Sequence, residues 1–308
     1  MCYNTHEVFM RKSLKDLFKS TILFEYSLPN NDKSLSKSDI STSDDFCYST
    51  IGDKEVSGLI YNGIVDLAFE DYNINLNDLN ETQRKALNYK IRFANIESET
   101  AQLKLGFYGE VLLNLFLQLE FGTEVFVARG QFFDPLSNFE AHGYDSHHII
   151  ERNNQIELWF GEAKFYKTAS AALTSIWKSL QTTLTLEYLD KNFQSIIQKN
   201  KEVESKNESL NQFINECKKD PYRNFYQDII NYKMKLVRPI LIVANETDNY
   251  DDTVKAIIDT INNKNKENPI CLPKEIDCSL FFIILPVHDA IGIKKEVLKC
   301  IRKNEPLI

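Results

Sequence analysis

The chain has 308 residues, 43% of them hydrophobic, with 36 Lys and Arg against 44 Asp and Glu for a net charge of −8. That length and apolar content support one large domain or a core domain with an extension, while the acidic balance argues against a protein that binds nucleic acid over its whole surface. No run approaches the roughly 18 apolar residues of a membrane span, the N-terminus lacks a signal-like apolar stretch, and the six cysteines include no C-x-x-C pair, so a cytoplasmic protein with neither a disulfide framework nor a zinc site is expected.

Taken in chain order, residues 22–26 read as a strand, and residues from about 30 to about 53 are rich in Ser, Asp, Asn and Lys, which predicts a surface loop or a locally disordered insertion. From about 81 to about 120 the pattern is helical, interrupted near Gly106 and Gly109. Glu110 then opens a helix so apolar that it must be buried on most sides. Strands are predicted at 124–128, 144–151 and 155–165, the last two joined through Arg152-Asn153-Asn154, where the Asn pair marks a tight hairpin turn. Helical periodicity runs from 168 to about 199, with Thr168 or Ser170 as the cap. Residues 200–211 read as an exposed connection or a solvated helical turn. The near-continuous apolar runs 236–244 and 279–285 have the character of strands covered on both faces, with a helix near 253–263 between them. From Glu110 onward the order is α-β-β-β-α, further helices, then β-α-β-α, with no internal repeat.

Chemistry concentrates in Leu158-Trp159-Phe160-Gly161-Glu162-Ala163-Lys164-Phe165, an apolar strand with a carboxylate and an ammonium two residues apart. Strand side chains alternate between faces, so Glu162 and Lys164 point the same way, together with Leu158 and Phe160. Buried charges on one face must pair with each other, with a metal or with a ligand. Two further carboxylates stand upstream: Asp145 in Gly143-Tyr144-Asp145-Ser146-His147-His148 and Glu110 in Gly106-Phe107-Tyr108-Gly109-Glu110. Singly, each has an ordinary explanation: a surface salt bridge at a strand end for Glu162, a turn former for Asp145, and a dipole-favoured carboxylate at a helix start for Glu110. The force lies in the ordered set of helix Glu, strand Asp, hairpin, and strand Glu-x-Lys.

Phosphodiester hydrolysis needs such a set. Mg²⁺ takes oxygen ligands and keeps several waters, so two or three carboxylates in an otherwise dry pocket can hold it and leave positions for phosphate and nucleophile. Asp145 and Glu162 would be the primary ligands, with the backbone carbonyl of Ala163 alongside, and Glu110 would act from the helix, directly or through water. Lys164 would orient or help deprotonate the attacking water, or stabilise charge developing on the phosphate.

The order and motifs resemble the restriction-endonuclease-like superfamily, with its PD-(D/E)xK signature and its α-β-β-β-α-β core of a mixed central sheet flanked by helices. Tyr144 stands where the signature has proline, which leaves the metal-binding part intact. More narrowly, the three motifs resemble the HamA family, the nuclease subunits of Hachiman antiphage defence, most strongly over about residues 100–185. The resemblance implies an α/β nuclease domain over 96–308 with additional C-terminal strands and helices, preceded by an N-terminal extension over 1–95. It also implies DNA cleavage with Mg²⁺, for which Mn²⁺ can substitute, and a HamB-like superfamily 2 helicase partner that restrains the nuclease until damaged or aberrant DNA is engaged. Such a partner, or a local basic rim, would answer the objection raised by the acidic net charge. The polar segment near 30–53 or the segment 200–232 is the expected helicase-binding surface.

Other residues are weighed against plainer roles. Of the two histidines after Asp145 only His147 can share its face, where an imidazole can relay protons. Lys178 is expected as a solvated helix lysine, Trp159 and Trp177 as core residues, and His288 as structural. Two other functions compete with the nuclease effector: a subunit of the same fold without turnover, and a stand-alone restriction or repair nuclease.

Overall fold

The structure is a computed structural model that describes residues 10–29, 35, 40, 43–69, 74–94, 96–137, 139–140, 143–199, 208–220, 223–247 and 249–308. It is a mixed α/β protein built on a seven-stranded sheet in the order β1-β2-β9-β8-β7-β6-β3, with a separate small β4-β5 pair. The strands are β1 (Ile22–Leu28), β2 (Asp45–Thr50), β3 (Glu124–Val125), β4 (Phe133–Asp134), β5 (Phe139–Glu140), β6 (Ser146–Arg152), β7 (Gln155–Phe165), β8 (Lys235–Asn245) and β9 (Asp277–Val287). The helices are α1 (Lys12–Thr21), α2 (Asp53–Ala68), α3 (Leu79–Tyr89), α4 (Glu99–Gln102), α5 (Phe107–Leu119), α6 (Ala169–Thr183), α7 (Leu186–Lys199), α8 (Glu208–Lys219), α9 (Phe225–Asn231), α10 (Tyr250–Glu267) and α11 (Ala290–Lys303).

Strand β7 is the axis of the fold. It pairs antiparallel with β6 through a two-residue turn in which Asn153 and Asn154 both take positive φ, the geometry of a type I′ hairpin and the reason for the Asn pair. On its other edge β7 runs parallel to β8, which runs parallel to β9. These central strands are covered on both faces, which accounts for their almost uninterrupted apolar sequence. Residues Trp159, Ala163 and Phe165 of β7 pack with α2, α5 and α11 in one core, while Leu158 and Phe160 pack with α7, α8 and α9 in a second. Ile240 and Ile242 of β8 join α6 and α10 in a third. Trp159 and Trp177 are buried core residues, as expected, and Lys178 is exposed.

Three expectations are revised. The segment expected as a loop near 30–53 contains β2, which pairs with both β1 and β9 and so extends the main sheet; Cys47 and Tyr48 supply the apolar contacts that a polar composition masks. Residues 30–34, 36–39, 41–42, 200–207 and 221–222, on which parts of the loop and interface readings fall, lie outside the described residues. The single helix expected from 168 to 199 is two, broken at Leu184 and Thr185: α6 is capped by Thr168, whose hydroxyl accepts from the Ala171 N–H, and α7 turns away to cover β6 and β7. The strand expected at 124–128 shrinks to Glu124–Val125, after which a 3₁₀ turn, Arg129–Phe132, redirects the chain.

Gly161 sits where β6, β8 and α5 converge. A Cβ there would lie 2.5 Å from Ser146 Oγ, 2.8 Å from Leu113 Cδ2 and 3.3 Å from Pro239 Cγ. Gly161→Val should therefore overpack the sheet and destabilise the fold by roughly 1–3 kcal/mol, read as a lowered urea midpoint with an unchanged m-value.

Candidate active site at the end of strand β7

The hairpin register sets Ser146 opposite Gly161, which brings Asp145, the residue just before β6, beside the Glu162-Ala163-Lys164 end of β7. The Asp145 N–H donates to the Gly161 carbonyl (3.0 Å), and the Ala163 N–H donates to Asp145 Oδ2 (2.8 Å). Lys164 Nζ lies 3.7 Å from that same Oδ2 and forms a close ion pair with Glu162 Oε1. The remaining Glu162 oxygen, Oε2, accepts from Ser179 Oγ of α6 (3.1 Å). Relative side-chain exposure is 5% for Glu162, 16% for Asp145 and 18% for Lys164. Solvent thus reaches the aspartate and the ammonium, while the glutamate forms the floor.

Burial raises the Glu162 pKa, and the adjacent Asp145 charge pushes it further, against the opposing pull of Lys164 and Arg238. Burial alone would lower Lys164, yet the charges of Asp145 and Glu162 outweigh it and its pKa is raised. The lysine is therefore held as an ammonium between two carboxylates. Two acidic groups against one cation leave an excess of negative charge in a partly desolvated recess.

Glu110 is placed differently. It is buried in the first turn of α5, and its Oε2 accepts from Arg129 Nε of the 3₁₀ turn at 3.2 Å. Helix α5 packs on the opposite face of β7, where a Cβ on Gly109 would meet Ala163 Cβ at 3.3 Å. Asp145, Glu162 and Lys164 are thus brought together and Glu110 is not joined to them; among the described residues no group of three or more His, Cys, Asp or Glu is assembled to hold a metal ion.

Both histidines are buried in the supporting layers. His147 stacks on Phe132 (ring centroids 4.7 Å) with Nε2 3.4 Å from Asn192 Oδ1, and burial lowers its pKa to about 3, which leaves it a neutral packing residue. His148 faces α5, with Nδ1 2.8 Å from Thr123 Oγ1 and Nε2 3.0 Å from Asn114 Oδ1. His288 is exposed and lies 3.4 Å from Glu246.

Arg238 was not singled out by sequence. It is fully buried in β8, donates to the Phe160 carbonyl and to Thr183 Oγ1 (3.2 Å), and lies 4.1 Å from the Tyr144 ring centroid. Tyr144 in turn donates to the Thr183 carbonyl (2.8 Å). The residues leading into Asp145 and Glu162 are therefore clamped by one guanidinium. The signal was present: Arg238 is a charge inside an apolar strand, like Glu162 and Lys164 themselves.

Fold and site define a mixed α/β protein with a buried carboxylate–lysine cluster at the end of a central strand. The chain belongs to the HamA family, whose family model, described as HamA, matches residues 15–301, and it is accordingly a component of a Hachiman antiphage system. No curated protein and no solved structure matches it.

The His148 pKa falls by burial from an ordinary 6.5 to about 3, so below pH ~6.5 the unfolded chain takes up a proton that the folded chain refuses, and stability drops as pH falls from that value toward 3. His148→Gln, which keeps a hydrogen-bonding amide, should flatten this dependence by roughly 1 kcal/mol per pH unit, measured by urea unfolding between pH 7 and pH 4.

Proposed function

We propose that the protein is a metal-dependent deoxyribonuclease, the effector of a two-component Hachiman complex in the cytoplasm, restrained by a superfamily 2 helicase and released when that partner engages damaged or aberrant DNA. The observation that carries this reading is the Asp145–Lys164–Glu162 cluster: it is a net acidic, oxygen-rich recess with an ammonium in hydrogen-bonding range. The chain order of α5, the antiparallel strands β3, β6 and β7, then α6 and a β8 parallel to β7 supports the restriction-endonuclease-like core. On this reading residues 96–308 carry the chemistry and 1–95 buttress it.

The donor set suits Mg²⁺, a hard ion commonly held by one or two carboxylates and several waters. Asp145 and Glu162 would hold it, with the Ala163 carbonyl beside them, and when bound it would neutralise phosphate charge and acidify a water. The chain's own contribution is more specific. Glu162 is fixed by Ser179 on one oxygen and by Lys164 on the other, so its rotamer is set before substrate arrives. Asp145 is aligned by the Ala163 N–H. Lys164, held protonated, serves to orient the nucleophilic water and to stabilise charge on the phosphorane rather than to remove a proton. Glu110 acts from α5 by holding Arg129.

Plasmid cleavage in Mg²⁺, Mn²⁺ or EDTA, by the chain alone and with its helicase partner, tests this. Metal-dependent cleavage should fall at least about a hundredfold in Asp145→Asn, Glu162→Gln and Lys164→Met, with circular dichroism unchanged. Absence of cleavage under every condition, with helicase binding intact, would replace the nuclease by a catalytically silent regulatory subunit.

A further inference from the structure

We propose that Tyr166, the residue that follows β7 and stands two positions beyond Lys164, is a base-stacking residue of the substrate site and takes an unpaired nucleotide next to a phosphate held at Lys164. The inference rests on the reading that this site cuts nucleic acid, and it deepens that reading by selecting unpaired strand over duplex.

Its position comes from the sheet. The Tyr166 N–H donates to the Val243 carbonyl (3.0 Å) and the Asn245 N–H donates to the Lys167 carbonyl (3.2 Å), so the ladder between β7 and β8 continues past Phe165 and fixes the backbone that carries the ring. Phe165 packs in the core shared with α5 and α11, and alternation therefore turns Tyr166 to the face that carries Glu162 and Lys164. At about 3.3 Å per residue the ring is rooted roughly 7 Å along the strand from Lys164, close enough for the base attached to a phosphate at the ammonium to reach it. The electrostatics agree: burial works against the Lys164 charge, Asp145 and Glu162 favour it most, and the Tyr166 phenol adds to them.

The ring is not used by the fold. Tyr166 is 40% exposed, and among the described residues it has neither a ring partner nor a hydrogen bond to its hydroxyl. Tyr144 and Tyr188, by contrast, are spent on packing: their ring centroids meet edge to face at 5.4 Å, and Tyr144 also stacks on Phe160 at 5.1 Å. A singly exposed aromatic residue is ordinary on a protein surface, but this one stands on a rigid strand beside the half-buried ammonium of the site. Every base has a π-face, and stacking on an aromatic side chain is tolerant of sequence. Within a duplex that face is covered by neighbouring base pairs, so Tyr166 engages a nucleotide only where the strand is single or frayed. The net charge of −8 limits what phosphate contacts contribute to strand binding, which gives stacking the larger share.

The test is fluorescence anisotropy of the full chain, in EDTA and in Ca²⁺, with three labelled probes of equal length: a thymidine strand, the same strand without bases, and a blunt duplex, each checked intact by gel afterwards. Wild type should bind the thymidine strand at least about tenfold more tightly than the abasic one. Tyr166→Leu should remove most of that difference and Tyr166→Phe should keep it, with the same salt dependence in all three proteins because a stacking ring releases no counterions. Duplex binding should be unchanged by either substitution, and the control Tyr89→Leu, on an exposed tyrosine of α3, should match wild type. Parallel loss of thymidine-strand and abasic-strand binding in Tyr166→Leu would reduce the residue to a structural part and overturn the proposal, as would an unchanged base preference or a wild-type chain that binds no oligonucleotide. A Tyr166→Leu chain that keeps its base preference but no longer co-purifies with the helicase would assign the ring to a protein partner and equally overturn it. Base-dependent binding through Tyr166 without cleavage under any condition would retain this inference and remove the nuclease reading alone.

Discussion

Everything at the functional end of this molecule depends on keeping three charges, Asp145, Glu162 and Lys164, largely out of water at the end of one strand. Desolvating an ion costs several kcal/mol even after relaxation, so such a cluster persists only where geometry recovers the loss. Here the recovery is built from backbone and neighbours. The hairpin register supplies the Ala163 N–H to Asp145, α6 supplies Ser179 to Glu162, and the pleat of β7 sets Lys164 on the same face as Glu162. Moving β6 by one residue would exchange the faces of its side chains and dissolve the cluster, so the fixed Asn153-Asn154 turn and the crowded Gly161 hold the cluster together as well as the sheet.

Behind the cluster lies a second layer that is cationic. Arg238 touches neither carboxylate directly, yet its charge opposes the upward shift of the Glu162 pKa, and its hydrogen bonds and ring contact hold the backbone and side chain that lead into the two acids. A guanidinium suits that place because it stays charged at any physiological pH and can stack while donating. The recess therefore faces solvent as an acidic surface with a positive backing. This backing partly offsets the upward push that burial and the Asp145 charge exert on Glu162.

Much of this was legible in sequence because the charges stand out against apolar strands. The long strands β7, β8 and β9, the hairpin turn and the Glu162–Lys164 pairing follow from alternation and from the intolerance of cores for unpaired charge. Other features were not legible, for identifiable physical reasons. Strand β2 has a polar look because only part of it faces a core and its order comes from pairing with β1 and β9, a long-range property. Helix Glu110 and strand Glu162 were grouped by chain order, whereas the structure gives Glu110 to Arg129, a residue in a short 3₁₀ turn that no periodicity announces. Arg238 went unweighed although it obeys the same rule as Glu162, since a single charge in an apolar run attracts notice only when a partner stands nearby in sequence.

The dependence of the site on distant sequence is clearest at Lys294. This α11 residue is buried, and desolvation lowers its pKa to about 8, yet its ammonium is directed to carbonyls: Phe165 at 2.8 Å and Leu103 at 3.3 Å, between the rings of Tyr108 and Phe165. Phe165 follows Lys164, and Leu103 lies three residues before Gly106 at the start of α5. One lysine from the C-terminal helix thus ties the end of β7 to the turn that launches α5. A buried cation satisfied by carbonyls and aromatic faces is a costly fastening compared with apolar packing, and it fixes direction where apolar contact would fix only distance. Helix α11, outside the stretch where the motifs lie, is on this account part of the machinery that holds α5 and β7 in register.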